Sequence, residues 1–132
     1  VEAYVPKSIE MKRDMDLVRD LLFHIEADPL LDGRRWMSPA TAEEVGVSDH
    51  SKEEVDYHLC LLIDAGLLNG KTSQGMPVFC KLTWEGHEFL DNIRDQDVWS
   101  RTKKRIEGLP SVALGVIVDI AKAEIRKRLG LS

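Results

Sequence analysis

A helix, a two-armed hairpin and a second helix are spelled out between Ser51 and Leu90, and the rest of the chain has to fold around them. Ser51 stands three residues ahead of Glu54, the spacing at which each side chain satisfies a free backbone N–H of the first turn, so a helix is expected to begin at Lys52. Val55, Leu59 and Leu62 recur at helical spacing and form an apolar stripe. Ala65-Gly66 ends the helix with a residue that tolerates positive φ. Leu67-Leu68 then opens a strand, Gly70 to Gly75 is rich in turn formers, and Met76 to Lys81 is a short second arm. Pro77 in that arm fits only an edge or an irregular entry, because it has no N–H for a ladder. Thr83 caps the following helix, with Glu85 near its positive end.

Upstream, Met15, Val18, Leu22 and Ile25 share one face, with Leu17 and Leu21 beside it, which predicts an amphipathic helix from Asp14 to Ala27. Asp28-Pro29 and Asp32-Gly33 lead out of it. Arg34 to Met37 reads as a short strand. Ser38-Pro39 carries a helix-start signature, and a short helix over 41–47 is favoured over a strand through Val45 and Val47. Downstream, Trp84, Phe89, Leu90 and Ile93 are expected to anchor a helix reaching about Arg94, with Trp84 and Phe89 in the core. Val98, Trp99, Thr102 and Ile106 mark another helix before the Gly108-Leu109-Pro110 break. Ser111 is expected to cap a last helix that runs to Leu129 and stops at Gly130.

The run His58-Leu59-x-x-Leu62-x-x-Ala65-Gly66-Leu67, the glycine-containing hairpin and Leu82-Thr83-x-x-Gly86 together resemble the third helix, wing and following helix of bacterial winged-helix regulators. A closer likeness rests on Met11-Lys12-Arg13-Asp14-Met15-Asp16-Leu17-Val18-Arg19, on Tyr57-His58-Leu59 through Gly66-Leu67, and on Leu82-Thr83-Trp84-Glu85-Gly86-His87-Glu88-Phe89-Leu90-Asp91. These blocks are similar to a family of small uncharacterised bacterial and prophage proteins. The resemblance implies a mainly α fold with a small β-hairpin, winged helix-turn-helix-like and extended by C-terminal helices, and it carries no established activity. The corresponding division is an N-terminal arm or extension at 1–10, a winged-helix-like domain at 11–94, and a helical extension at 95–132.

Composition narrows the class of function. The 132 residues are 43% hydrophobic and 31% charged, ordinary for one globular domain. No apolar run approaches the roughly 20 residues needed to cross a bilayer, and the first residues lack the pattern of a signal peptide, so a bacterial cytoplasmic protein is the default expectation. Cys60 and Cys80 lie too far apart to make a metal framework by spacing, and both are expected to be reduced thiols without a catalytic role. His24, His50, His58 and His87 fall into no metal-ligand or catalytic signature, and there is no phosphate loop or nucleophile elbow. His58 is expected to be packed or capped. The chain therefore reads as non-catalytic, with no cofactor and no metal.

Charge speaks against the usual DNA-binding use of such a scaffold. Residues 1–98 hold 10 Lys/Arg against 20 Asp/Glu, a net of −10, while residues 99–132 hold 8 against 3, a net of +5. From Ser51 to Leu68 the helix that would enter the major groove carries Lys52 against Glu53, Glu54, Asp56 and Asp64, a net of −3. Each phosphate contact contributes about 0.9 to the log–log salt slope of DNA affinity, and an acidic helix gives that up. The basic candidates for a nucleic-acid surface are Arg34, Arg35, Lys52, Lys71 and the cluster Arg101, Lys103, Lys104 and Arg105, which reads equally as a solvated helix face. On the last helix, Val112, Val116, Ile120 and Ile125 widen the apolar face beyond one contact. That helix is open to packing on the first helix, to pairing with a second copy, or to both; a membrane-surface role is the least favoured alternative. The expected function is a regulatory or interaction module acting through a protein partner or self-association, with sequence-specific DNA binding as the alternative.

Overall fold

Polar side chains fix where the helices begin, and the apolar stripes then decide what they pack against. The computed structural model describes residues 12–109 and 112–131; the expected arm at 1–10 and the Ser111 cap lie outside them. Helix α1 spans Met15–Ala27 and is capped by Asp14, whose carboxylate accepts the N–H groups of Asp16 and Leu17 at 3.0 and 3.1 Å. Helix α2 spans Lys52–Asp64 and starts with the reciprocal Ser51–Glu54 cap. It ends at Ala65, and Gly66 follows at φ 78°. Strands β1, Leu68–Ser73, and β2, Met76–Leu82, form an antiparallel pair. Helix α3 spans Trp84–Ile93, α4 spans Gln96–Ile106 and α5 spans Leu114–Arg128. The protein is thus mainly helical with one small hairpin. None of the described helices is long and apolar enough to cross a membrane.

Two compact units divide within α3, one up to Gly86 and one from His87 onward. In the first, α1 and α2 pack on each other and on the hairpin. Leu17, Leu21 and Leu22 of α1, Leu59 of α2 and Phe79 of β2 are fully buried there. His58 ties the two helices together. Its Nε2 accepts the backbone N–H of Asp14 at 2.8 Å, and its Nδ1 faces the Glu54 carbonyl oxygen at 2.8 Å, which requires the proton on Nδ1. The expectation of a packed histidine holds, since the ring is buried.

The second unit is built on α4 and α5, which pack together through Val98, Trp99, Thr102, Ile117 and Ala121, all buried. Thr102 satisfies its buried hydroxyl by donating to the Val98 carbonyl at 2.7 Å. Buried Glu124 meets Arg105 at 3.2 Å and Lys127 at 3.9 Å. At the start of α4, Asp95 caps Val98 and also holds Arg128. The Val98 N–H, and after it the Arg128 charge, keep the Asp95 carboxyl below its ordinary 3.8 against an opposing loss of hydration. A lowered folded value means that this contribution is complete above the ordinary carboxylate value and is lost as pH falls through the folded one. Because asparagine is itself a competent cap, Asp95→Asn isolates the charge. Its melting temperature is expected to fall below the parent's at neutral pH, and the gap to close on acidification. A gap that does not change with pH contradicts the assignment.

Several expectations need correction. The first arm of the hairpin does not turn at Gly70: pairing continues to Ser73↔Met76, leaving Gln74 and Gly75, both at positive φ, as the turn. The second arm runs one residue further, to Leu82. Ser38-Pro39 does not start a helix; the only helical stretch there is a 3-10 turn at Ala42–Val45. Arg34 to Met37 forms no strand beyond a single bridge from Met37 to Phe79. The last helix begins at Leu114 after Ala113, two positions later than a Ser111 cap requires. Trp84 is not a core residue: it is 76% exposed, while Phe89 is buried as expected. A first-turn position of α3 can face solvent because Thr83 and Gly86, rather than Trp84, make the junction with the hairpin base.

Candidate functional site

That junction accounts for the most distinctive stretch of sequence. Thr83 Oγ1 donates to the Gly66 carbonyl and accepts the Gly86 N–H at 3.0 Å, while the Thr83 N–H donates to the Leu67 carbonyl at 3.0 Å. Gly86 lies so close to Leu67 that a Cβ there would run into the Leu67 carbonyl oxygen. The residues Ala65-Gly66-Leu67 and Thr83-x-x-Gly86 therefore lock the end of α2 to the start of α3 across the base of the hairpin. They set the site's geometry and leave the outer face of α2 free.

That outer face and the hairpin turn enclose a cleft of about 320 Å³ lined by Glu53, Asp56, Tyr57, Cys60, Thr72 and Gly75. Glu53, Asp56, Tyr57 and Cys60 fall at spacings of three and four, hence on one side of α2. Asp56 is only 8% exposed. Its Oδ2 meets Lys52 Nζ at 2.6 Å, whereas its Oδ1 has no hydrogen-bond partner. Cys60 Sγ lies 3.6 Å from the Gly75 carbonyl, joining helix and turn. Both cysteines are free thiols, Cys80 buried and Cys60 half-buried. On the flank of the same helix, burial pushes the Glu54 carboxyl up, but the Ser51 N–H and the nearby His50 ring outweigh it and hold Glu54 below its usual value.

The basic candidates are scattered and mostly engaged. Arg34 is 3.7 Å from Asp32 with its side chain almost fully in solvent, and Arg35 beside it is exposed. Lys52 is taken by Asp56. Lys71 lies on β1, exposed. In α4, Arg101 bonds Asp97 at 3.1 Å, Lys103 lies 5.8 Å from the centre of the Trp99 ring, and Arg105 is held by Glu124. Lys104 beside them is exposed. On α5, Val116 is 47% exposed, and Val112, Ile120 and Ile125 are half-buried, while Ile117 and Ala121 face inward.

The cleft was missed in the sequence because its helical wall mixes acids, an aromatic and a thiol, and so gives neither an apolar nor a charged stripe. The one available signal was the i, i+3, i+4, i+7 spacing of Glu53, Asp56, Tyr57 and Cys60. The partners Thr72 and Gly75 depended on how far the hairpin stays paired.

Comparison with known proteins places these features in a family. A Haemophilus influenzae protein described as an uncharacterised protein is 32% identical over 124 residues, spanning 90% of this chain and 99% of its own length. No solved structure matches the chain. The family model described as hypothetical protein (DUF2513) matches residues 12–113, with no activity attached to the description. The chain thus belongs to the DUF2513 family.

Proposed function

We propose that the protein is a non-catalytic, winged-helix-like interaction module that acts in regulation by binding another protein. The order of α1, the 3-10 turn, α2, the two strands and α3 supports the winged-helix reading, with Met37 adding one bridge to β2. The observation that carries the function is the charge of α2: where a DNA reader of this shape presents cations, α2 carries an exposed Glu53, and its one cation, Lys52, is already paired with Asp56. Such a surface repels phosphates and favours donors. Self-association is a second reading, favoured by the exposure of Val116 on the outer side of α5.

DNA binding is the competing reading, and one experiment separates the three. The intact chain is presented with a genomic fragment library at low salt and is sedimented in parallel alone and as Val116→Glu. Recovery of no fragments above background supports the protein-partner reading. Enrichment of fragments that is lost on charge reversal at Arg101, Lys103, Lys104 and Arg105, with a steep salt slope, overturns it in favour of DNA. A dimer in the parent that Val116→Glu dissociates establishes self-association.

A further inference from the structure

The loop that leaves α1 is firmly held, yet it turns cationic and aromatic side chains outward. Asp28 accepts the Leu30 N–H at 2.9 Å, and Asp32 accepts the Arg34 N–H at 3.0 Å. Buried Leu31 anchors the loop, the Gly33 N–H donates to the Cys80 carbonyl at 3.0 Å, and Met37 bridges Phe79 of β2. Outside that frame Arg34 and Arg35 are exposed, as are Trp36, by 57%, and Leu30, by 58%. Strand β2 adds a third cation: the exposed Lys81 side chain crosses Gly33, its Cδ 3.2 Å from where a Cβ there would stand. Resting on the interaction reading above, we propose that this loop and Lys81 dock a short acidic segment of the protein partner, its carboxylates on Arg34, Arg35 and Lys81 and its apolar side chains on Trp36 and Leu30.

Charge decides the occupant. Residues 1–98 carry a net of −10, so three cations gathered on one loop stand out against the part of the chain that bears them. The acid among them, Asp32, is 3.7 Å from Arg34 Nε, too far for a hydrogen bond, and the Arg34 side chain is almost fully in solvent. Each guanidinium offers a planar fork that takes a carboxylate in two parallel bonds. A nucleic acid would also match these cations, but its charge repeats about every 1.7 Å and runs on past them into a surface of net negative charge. A segment of a few carboxylates ends where the cations end. Trp36 adds a second kind of contact: tryptophan and arginine are the residues that most often carry the energy of a protein interface, and here they stand side by side. Because the loop backbone is already fixed, little ordering is left to offset the gain on binding.

The probe is the blocked peptide Ac-Glu-Leu-Glu-Glu-Leu-NH2, titrated into the intact chain while backbone amide and indole resonances are followed by NMR. Its glutamine counterpart keeps the shape and lacks the charge, and a short oligothymidylate offers phosphates instead. Saturable shifts confined to 30–37 and 80–82 are expected, with a Kd on the order of 1 mM for so short a peptide and weaker binding as salt rises. Binding is expected to weaken at least about tenfold with the glutamine peptide or in Arg35→Glu, and at least about threefold in Trp36→Ala. Lys104→Glu makes the same change of net charge on α4 and is expected to leave binding within about twofold; the same spectra report whether each variant remains folded. No saturable shift in the parent, equal shifts with the glutamine peptide, or equal losses in Arg35→Glu and Lys104→Glu overturn the proposal. So does tighter binding of the oligothymidylate on the same loop. A partner captured equally well by the parent and by Arg35→Glu removes the docking loop while leaving the interaction reading in place. Fragment enrichment that is lost on charge reversal at 101–105, with the peptide still bound as expected, removes that reading and keeps the loop.

Discussion

Gly86→Ala is expected to destabilise the protein by about 3 kcal/mol, the upper part of the range for forcing an extra carbon into a packed site, and to lower the melting temperature by roughly 10 °C for a chain of this size. The new methyl would run into the Leu67 carbonyl oxygen, a backbone atom that cannot swing aside as a side chain would. Leu67 is also held by two hydrogen bonds: its N–H donates to the Leu62 carbonyl at 2.9 Å, and its carbonyl accepts from Thr83. Relief therefore requires separating the start of α3 from the hairpin base and breaking the Thr83 contacts. Gly66→Ala is the control. Gly66 sits at φ 78° with nothing within 4 Å of an added Cβ, so it suffers only the left-handed penalty of about 1 kcal/mol. Denaturant melts of both variants test the ordering, and a Gly86→Ala protein no less stable than Gly66→Ala refutes the lock.

Trp99→Ala is expected to cost about 4 kcal/mol, within the span measured for removing large buried aromatics. Trp99 is the largest of the fully buried side chains, 1% exposed, and lies on α4, which packs against α5. Its removal leaves a cavity that Val98, Ile117 and Ala121 are too short to refill, and Lys103 loses the ring it approaches. Trp99→Phe keeps most of the volume and is expected to cost less than half as much. Equilibrium unfolding monitored by far-ultraviolet circular dichroism distinguishes the two. An alanine variant within about 1 kcal/mol of the parent, the size of an ordinary surface substitution or smaller core trim, places Trp99 outside the core.

These two residues show how unevenly the sequence speaks. Trp84 read as core and Trp99 only as one position of an amphipathic segment, yet Trp99 is sealed and Trp84 is 76% exposed. Helical periodicity states which residues share a face; it does not state which face meets a neighbour. Gly86 belonged to a conspicuous block, but its reason lies in the backbone of Leu67, a residue 19 positions earlier whose proximity no local pattern encodes. The hairpin was legible as a hairpin, but its length was not. The turn formers from Gly70 to Gly75 outnumber what a two-residue turn needs, and cross-strand pairing carried the strand through most of them.

The basic residues teach the same lesson in charge. Arg101, Lys103, Lys104 and Arg105 form the densest cationic run in the chain, and density alone suggested a phosphate-facing surface. The structure pairs Arg101 with Asp97 and Arg105 with Glu124, so two of the four charges are neutralised within their own helical pair. Asp97 is i−4 to Arg101 and was readable; Glu124 is 19 residues from Arg105 and was not.

What the sequence by itself determined was everything written in spacing and in single-residue chemistry: the Ser51–Glu54 start of α2, the glycine stop after it, the Thr83 cap, the amphipathic α1 and the acid character of α2. These depend on atoms within one or two helical turns, where chain connectivity already fixes the geometry. Tertiary structure alone decided that Asp56 is buried, that Thr72 and Gly75 line one cleft with α2, and that Trp84 faces water. Burial and long-range pairing follow from which surfaces exclude solvent together, and that is a property of the assembled fold rather than of any one segment.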